Sequence, residues 1–250
     1  MERLGQNISV CMATFNGERF IKEQIESILI QLGSDDELII SDDNSTDATI
    51  AIIGKFVDDR IRLITNQGVK SVTYNFENAL RNSSGDLIFL SDQDDVWFPK
   101  KIETMKHHLS KYDLVMSNCN FIDEKGESMN CSFFDKFHSG PGVLKNFLKN
   151  TFLGNCMAFR RSVLDRALPF PFEIHRATQY QIYQDVWLGL LANSLFNVVF
   201  IPEKLSGFRR HLNNASPTEM NSKSPQPLSW KFRGRALLAS ALLKRIFRIG

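Results

Sequence analysis

The amino-acid sequence predicts an α/β domain in which helices flank a mostly parallel central sheet. Short apolar segments with strand character alternate with longer segments whose apolar residues recur at helical spacing. Clusters of Asn, Asp, Ser and Gly separate the segments, as is typical of turns. Strands that alternate with helices are joined by right-handed crossovers and therefore run parallel. A chain of 250 residues is long enough to bury a substantial core.

The first three elements are a strand, a helix and a strand. Residues 8–13 are short and apolar, which favours a buried strand. Residues 19–32 place isoleucine and leucine side chains three or four positions apart, which predicts an amphipathic helix. Residues 37–41 (ELIIS) are again short and apolar and predict the second strand. This unit predicts a crossover between two parallel strands.

The same alternation continues to residue 117. Residues 47–57 carry apolar side chains on one helical face. The helix predicted at 74–81 ends at an Asn-Ser-Ser-Gly turn. The helix predicted at 99–111 begins with proline, which the first helical turn tolerates. The strands that complete this half are predicted at 62–65, 87–90 and 113–117.

The second half of the chain is less regular. Residues 119–142 are polar and contain Gly and Ser, which predicts loops or a hairpin. Three prolines between residues 217 and 227 indicate a linker. The remaining predicted elements are strands at 156–159, 197–201 and 205–209, a short helix from Arg161 and a helix at 185–195.

Charge is unevenly divided along the chain. The 30 basic and 28 acidic residues give a net charge of +2, and this near-balance argues against a dedicated nucleic-acid-binding protein. Residues 228–250, however, hold six basic residues and no acidic one. The rest of the chain therefore has 24 basic against 28 acidic residues, a net charge of −4. The body is mildly acidic and the tail is basic.

The sequence predicts a protein of the cytoplasm. The start of the chain is charged, and the apolar run at 8–13 is too short for a signal peptide. The longest apolar run, 236–243, is far shorter than the roughly 20 residues of a membrane-spanning helix. The spacing of the four cysteines matches no zinc or redox motif, which suits a reducing compartment.

Acidic residues follow two of the predicted strands. Asp42 and Asp43 follow the second strand, and Asp92, Asp94 and Asp95 follow the fourth. Ligands of such sheets bind beyond the carboxyl ends of the strands, and clustered carboxylates favour a cation between them. Aspartate and phosphate oxygens suit Mg²⁺ or Mn²⁺. The first cluster also fits a simple turn and helix cap, whereas the second holds more acceptors than a turn requires.

Several longer segments together identify a family resemblance. The segments are ISVCMATFNGERFI (8–21), ELIISDDNSTD (37–47), NQGVKSVTYNFENAL (66–80), GDLIFLSDQDDVWFPKKIE (85–103), FLGNCMAFRR (152–161), QDVWLG (184–189) and GFRRHLNNAS (207–216). In these segments the chain resembles family 2 glycosyltransferases of the GT-A fold, and SDQDDVW is the most specific piece. The overall pattern is most similar to the bacterial rhamnosyltransferase-like branch that builds surface polysaccharides. No Gly-x-Gly-x-x-Gly follows the first strand, which excludes a dinucleotide-binding oxidoreductase.

The resemblance implies a domain organisation. A Rossmann-like GT-A domain would span 1–216, with a nucleotide-sugar half at about 1–118 and an acceptor half at about 119–216. A linker at 217–229 and a basic amphipathic helix at 230–250 would follow.

The resemblance also implies roles for single residues. The residues expected to bind the nucleotide sugar are Thr14, Asn16, Glu18, Asp42, Asp43, Asp92, Asp95, Arg209 and Arg210. Asp92 and Asp94 would form the Asp-x-Asp element that holds Mn²⁺ or Mg²⁺, with Asp94 as the direct ligand and His211 assisting. The basic residues Arg209 and Arg210 could clamp the diphosphate or form a solvated loop, and Lys70 could approach phosphate.

Asp185 and Trp187 are expected on the acceptor side. Families of this kind invert the anomeric centre, which requires a carboxylate that takes the acceptor proton. Asp185 matches that position, although an aspartate at a helix start also has a purely structural explanation. Trp187 could stack on the acceptor sugar or belong to the core. Gln184 stands where relatives often carry His or an acid.

The resemblance implies an inverting, metal-dependent transfer to a saccharide hydroxyl in surface polysaccharide assembly. The donor would be a dTDP-, UDP- or GDP-linked sugar, rhamnose in the branch that the chain resembles, and the acceptor could be lipid-linked. The alternative is an inactive module that binds sugar nucleotide or glycan, against which the intact Asp92, Asp94 and Asp185 argue.

The C-terminal helix is predicted to be amphipathic. The apolar residues that share one face are Phe232, Ala236, Ala239, Leu243, Ile246 and Phe247. Basic residues lie largely on the other side, so the helix could lie on an anionic membrane, which would bring the protein to the inner face of the cell membrane. Packing against the domain or a partner is the alternative.

Overall fold

A nine-stranded sheet forms the centre of the fold in the computed structural model, which describes residues 6–211, 214 and 227–247. The strands are β1 (Ile8–Thr14), β2 (Glu37–Asp42), β3 (Ile61–Thr65), β4 (Leu87–Asp92), β5 (Val96–Trp97), β6 (Leu114–Ile122), β7 (Ser128–Ser132), β8 (Met157–Arg160) and β9 (Val198–Arg209). The helices are α1 (Ile21–Leu29), α2 (Thr49–Ile53), α3 (Val72–Arg81), α4 (Lys101–Leu109), α5 (Phe133–Phe137), α6 (Val143–Leu148), α7 (Arg161–Ala167), α8 (Phe172–Ala177), α9 (Gln184–Leu195) and α10 (Leu228–Phe247).

The strand order is β3-β2-β1-β4-β8-β6-β9-β5, and β7 pairs with β6. The first four strands are mutually parallel, as are β6 and β9. β8 runs antiparallel between β4 and β6, and β5 and β7 are antiparallel additions. The predicted α/β class with a mostly parallel sheet and a C-terminal helix is confirmed.

Helices cover both faces of the sheet because strand side chains alternate between the two faces. Val10, Met12 and Ile40 point into a core that α1 and α4 cover. Cys11 and Ile39 point to the other face, where α3, α7, α9 and α10 pack. The sheet is thus buried on both sides, which explains why its first strands are almost continuously apolar.

Several element bounds differ from the sequence prediction. The expected hairpin within 119–142 is formed by β6 and β7, and β6 extends to Ile122. The two strands expected at 197–201 and 205–209 are one strand, β9. Helix α10 begins at Leu228, whereas most of the linker expected at 217–229 falls outside the described residues.

The C-terminal helix packs on its own domain. Gly234, Leu238, Ala241 and Leu242 are buried where α10 crosses α8 and α9. The Arg245 guanidinium donates hydrogen bonds to carbonyl groups at the end of α7. One of the two expected placements, packing against the domain, is therefore found for one face of this helix. No described helix has the length and apolar character needed to span a bilayer.

Candidate functional site

An open cavity of about 390 Å³ lies beyond the carboxyl ends of β1, β2 and β4. Pairing in register brings Thr14 opposite Asp42 and Ala13 opposite Asp92, so the ends of the three strands meet at one edge. The expected site residues that line the cavity are Thr14, Asp43, Asp92, Asp94 and Asp185. Residues from the starts of α3 and α9 form the opposing wall. The structure therefore brings together both acidic clusters and Asp185.

The amide of Gln93 joins two loops at the cavity floor. Its Oε1 accepts hydrogen bonds from the Thr14 hydroxyl (2.6 Å) and the Phe15 N–H (2.9 Å). Its Nε2 donates to the Phe15 carbonyl at 3.1 Å. A Cβ at Gly17 would lie 2.4 Å from Gln93 Oε1, so a larger residue there would displace the Gln93 amide. Gln93 is not among the site residues predicted from the sequence, although it stands inside the SDQDDVW motif.

Asn16 and Glu18 do not line the cavity, which corrects the expectation for both. Asn16 Oδ1 accepts the Thr46 N–H at 2.8 Å, and Glu18 Oε2 accepts the Ala48 N–H at 2.8 Å. These bonds tie the loop after β1 to the loop after β2. Both side chains point away from the cavity because their oxygens accept hydrogen bonds from backbone N–H groups just before α2.

The paired Asp42 and Asp43 have different environments. Asp42 accepts hydrogen bonds from the Ser45 N–H (2.8 Å) and the Ser45 hydroxyl (2.5 Å) and does not line the cavity. Its side chain therefore builds the turn, and its expected contact with the nucleotide is corrected. Asp43 does line the cavity, and its Oδ1 accepts a hydrogen bond from Asn66 Nδ2 at 2.8 Å. Only the second carboxylate of the pair is available to a ligand.

Asp92 lines the cavity, whereas Asp95 is fully buried and does not, which corrects the donor contact expected of Asp95. Burial raises the pKa of Asp92, and the nearby charges of Asp94 and Asp185 raise it further. Burial also raises the pKa of Asp95, whose Oδ1 accepts the Arg209 N–H at 2.8 Å. Asp95 Oδ2 has no hydrogen-bond partner among the described residues. This cluster is costly unless a positive charge or a proton compensates it.

The Asp94 carboxylate contacts the imidazole of His211. His211 Nε2 lies 2.7 Å from Asp94 Oδ2, and Asn214 Nδ2 donates to the same oxygen at 3.0 Å. Carboxylate oxygen and imidazole nitrogen are donors that Mn²⁺ accepts. Within the described residues, no group of three or more His, Cys, Asp or Glu side chains could hold a metal ion. Asp94 and His211 could therefore provide only part of the coordination of a cation, whose other ligands would be phosphate oxygens.

Arg209 and Arg210 do not line the cavity, and this corrects their expected role as a phosphate clamp. The Arg209 side chain is 1% exposed, donates to the Asp94 carbonyl at 2.8 Å and pairs with Glu23 at 2.6 Å. The Arg210 guanidinium lies over the Phe208 ring, 5.1 Å from its centroid, and burial lowers the pKa of Arg210. Arg209 thus fixes the acidic loop against β9.

Lys70 supplies a positive charge at the cavity wall. It lines the cavity, and its Nζ lies 5.2 Å from the centroid of the Phe15 ring. The approach of Lys70 to phosphate stays a prediction, and its place in the cavity lining is consistent with it.

Asp185 lies at the start of α9 on the wall formed with Gly154. Burial raises its pKa to about 6, even though N–H groups, including that of Val186 at 2.8 Å, favour its charged form. A carboxylate with this pKa is largely ionised at neutral pH and is a stronger base than an exposed aspartate. The geometry suits proton abstraction inside the cavity.

Trp187 belongs to the core, which corrects its expected role of stacking on the acceptor sugar. Its ring is fully buried in the core, and its Nε1–H donates to the Ala167 carbonyl at 3.3 Å. Its neighbours Tyr183 and Gln184 line the cavity instead. Gln184 Oε1 is buried without a hydrogen-bond partner among the described residues and could accept a bond from a sugar hydroxyl.

The sequence comparisons agree on one family. The family model described as Glycosyl transferase family 2 matches residues 9–168. The chain is 32% identical over 205 residues to the UDP-Glc:α-D-GlcNAc-diphosphoundecaprenol β-1,3-glucosyltransferase WfgD of Escherichia coli. That alignment covers 79% of this chain and 76% of WfgD.

Two solved structures share the fold. S. aureus TarS in complex with UDP-GlcNAc matches with a TM-score of 0.65 at 16% identity, over 98% of this chain and 73% of that chain. Glucosyl-3-phosphoglycerate synthase from Mycobacterium tuberculosis, in complex with Mn²⁺, UDP and glucosyl-3-phosphoglycerate, matches with a TM-score of 0.55 at 19% identity. That match covers 96% of this chain and 80% of the synthase. These structures confirm the GT-A fold, and at such identities they show the fold alone.

Proposed function

Since the chain belongs to glycosyl transferase family 2, we propose that it transfers a hexose from a UDP-sugar, with inversion, to a saccharide hydroxyl. The observation that carries this proposal is that carboxylates from two different elements line one cavity. The Asp92 and Asp94 pair lies at the end of β4, and Asp185 lies on the opposing wall.

The proposed donor is a nucleoside diphosphate sugar bound along the carboxyl edge of the sheet. Asp43 would contact the nucleoside, and Lys70 would approach the diphosphate, because both line the cavity. UDP is the favoured nucleotide since WfgD, a relative at 32% identity, is named for UDP-Glc. The resemblance to rhamnosyltransferases adds dTDP-rhamnose to the donors that need testing.

The acidic loop would serve the leaving group. Asp94 and His211 would provide part of the coordination of a Mn²⁺ or Mg²⁺ ion, with Asp92 nearby in the same loop, and the ion when bound would supply positive charge to the departing nucleoside diphosphate. Lys70 would add a second positive charge near the same oxygens. Arg209 would keep the loop in place through its bond to the Asp94 carbonyl.

Asp185 would act as the general base. The acceptor hydroxyl would attack the anomeric carbon of the donor from the face opposite the diphosphate, and Asp185 would take its proton. UDP-glucose carries an α linkage to its diphosphate, so a β-linked product such as that named for WfgD has the opposite configuration. Gln184 Oε1 would accept a hydrogen bond from a hydroxyl of either sugar.

The proposed acceptor is a saccharide on a lipid carrier. WfgD is named for a diphosphoundecaprenol-linked acceptor, and it is similar to this chain over most of its length. Such an acceptor would bring the reaction to the inner face of the cell membrane, in surface polysaccharide assembly.

The test is a transfer assay with a panel of UDP-, dTDP- and GDP-sugars, Mn²⁺ and lipid-linked or short saccharide acceptors. We expect Asp185→Asn to bind UDP-sugar normally and to lose roughly 10²–10⁴-fold in turnover, which is the usual contribution of a general base. Asp94→Asn should lose metal-dependent donor binding. Asp59→Asn, at an exposed position, is the matched control. Rates like those of the wild type in Asp94→Asn and Asp185→Asn would refute the proposal, and binding without turnover in the wild type would identify an inactive module.

A further inference from the structure

Helix α10 presents apolar side chains on two sides. Leu238, Ala241 and Leu242 are buried against the domain. On a second side, Phe232, Leu243 and Phe247 remain 76%, 53% and 66% exposed. A helix that only packs on its domain needs one apolar stripe and has a polar outer face. The second stripe therefore requires another explanation.

Helix α6 adds exposed apolar residues next to the start of α10. Leu144 and Leu148 are 70% and 67% exposed, one helical turn apart. The two helices are linked because Arg235 Nη2 donates to the Leu148 carbonyl at 3.3 Å. Six apolar residues define what we call the α6–α10 surface: Leu144, Leu148, Leu228, Phe232, Leu243 and Phe247.

Basic residues surround these apolar side chains. Lys145 and Lys149 are exposed in and just after α6, and Lys231 and Arg233 are exposed on either side of Phe232. No acidic residue occurs in 141–153 or in 228–247. Glu173 of α8 pairs with Lys244 at 2.5 Å, but the other basic side chains still flank the apolar stripe with positive charge, which favours an anionic partner.

We propose that the α6–α10 surface docks on an anionic lipid membrane. Exposed Phe and Leu side chains flanked by Lys and Arg, on a helix that lies flat against a domain, fit the boundary between headgroups and acyl chains. The apolar side chains would enter the lipid, and the basic side chains would pair with acidic headgroups. Large exposed apolar side chains along one side of a helix are the kind of surface that marks an interaction site.

Helix α10 also packs on the segment that leads to the cavity wall. Trp230 contacts Tyr180 edge to face at 5.6 Å between ring centroids. A Cβ at Gly234 would lie 2.9 Å from Ile182 Cδ1 and 3.0 Å from Tyr180 Cβ, so α10 packs closely on this segment. The segment continues directly into Tyr183 and Asp185 at the cavity wall. Docking would therefore hold the acceptor side of the cavity close to the lipid.

Flotation of the full chain with vesicles tests the proposal. We expect binding to vesicles that contain phosphatidylglycerol, much weaker binding to phosphatidylcholine alone, and release at high salt. Neutralising two basic residues, in Lys231→Gln with Arg233→Gln, should lower the partition coefficient by about 30-fold. Removing apolar contacts, in Leu144→Ser with Phe232→Ser, should lower it by at least about tenfold.

Matched variants control for loss of charge and of exposed apolar residues. They are Lys55→Gln with Lys111→Gln and Ile30→Ser with Val57→Ser, all at exposed positions outside the surface. These variants should float like the wild type. Vesicle binding does not require turnover, so an inactive enzyme that floats would refute only the proposed function. The docking proposal is overturned if the wild type does not float, or if surface and control variants float equally. A dimer that the surface variants abolish, without lipid binding, would identify a contact between copies instead.

Discussion

Two carboxylate environments in one cavity suit different chemical tasks. The charge of Asp94 raises the pKa of Asp92, and Asp94 Oδ2 lies 2.7 Å from His211 Nε2, an arrangement that the proposed function assigns to the diphosphate and its metal ion. Asp185 lies at the start of α9, close enough for its charge to raise the pKa of Asp92, and burial raises its own pKa to about 6 while backbone N–H groups limit the rise. Environments that separate the behaviour of two acids are a common basis for assigning separate roles to them.

The raised pKa of Asp185 predicts an acid limb in the pH–rate profile. A base must be deprotonated, and the protonated fraction of Asp185 grows as the pH falls through about 6. We expect kcat/KM to fall about tenfold for each pH unit well below that midpoint and to level off above it. The profile of kcat/KM between acidic and neutral pH, at saturating metal, measures the effect. Residual activity of Asp185→Asn that kept the same acid limb would assign the limb to another group.

Gly17 carries a second prediction at the residue scale. In Gly17→Ala the new Cβ would lie 2.4 Å from Gln93 Oε1 and displace the amide that joins the loops after β1 and β4. We expect about 1–3 kcal/mol less stability, because overpacking of this kind forces side chains to move. Donor binding should weaken as well. Urea unfolding and calorimetric titration with UDP measure the two effects.

Gly54→Ala is the control for the Gly17 variant. A Cβ at Gly54 would lie no closer than 3.4 Å to its nearest neighbour, Ile50 O, and the backbone there is right-handed helical. Equal losses in both variants would show that the Gln93 contact has no special importance.

The sequence predicted which residues follow the strands near the site. It did not predict which of their side chains point into the cavity. Asp43 and Asp94 line the cavity, whereas Asn16 and Glu18, chosen from an equally good strand end, bond to backbone N–H groups outside it. The sequence shows that a polar residue follows a strand. Which way it points depends on the backbone groups that the neighbouring loop leaves unsatisfied.

At the scale of elements, β9 shows why bounds were harder to predict than types. The apolar runs at 197–201 and 205–209 predict two strands because Pro202 and the polar pair after it lie between them. In the structure Ser117 pairs with Ile201 and Asn118 with Lys204, so Pro202 lies in a register shift. Proline lacks the N–H that a regular ladder needs, and a bulge accommodates it within one strand.

Shortening a leucine should lower the free energy of unfolding more on the buried side of α10 than on its exposed side. Leu238→Ala removes a fully buried side chain and should destabilise the fold by about 2–4 kcal/mol through lost burial and a cavity. Leu243→Ala, on the exposed side of the same helix, should change stability by less than about 0.5 kcal/mol. Free energies of unfolding in urea compare the pair. Similar losses would mean that the exposed side also packs on the domain in solution, which would contradict the α6–α10 surface.

At the scale of the whole molecule, opposite charges concentrate in different places. The acidic body includes the carboxylates at the cavity, and the basic tail forms α10. The sequence alone predicted this division of charge and the amphipathic helix. It could not predict which apolar side of α10 packs inward, because that choice depends on contacts with α8 and α9 that only the fold creates.

The acidic wall of the cavity predicts how metal and nucleotide together stabilise the molecule. Because no group of three or more His, Cys, Asp or Glu ligands occurs among the described residues, Mn²⁺ alone should bind weakly and raise the melting temperature little. UDP with Mn²⁺ should bind more tightly, because phosphate oxygens complete the coordination that Asp94 begins. UDP with Mn²⁺, at a concentration about 100 times the dissociation constant, would raise the free energy of unfolding by about 2.7 kcal/mol. For a chain of this size that corresponds to a rise of roughly 5–10 °C. Thermal unfolding with each ligand alone, with both, and with both plus a chelator measures this. A full shift with Mn²⁺ alone would mean that the protein holds the metal without the nucleotide.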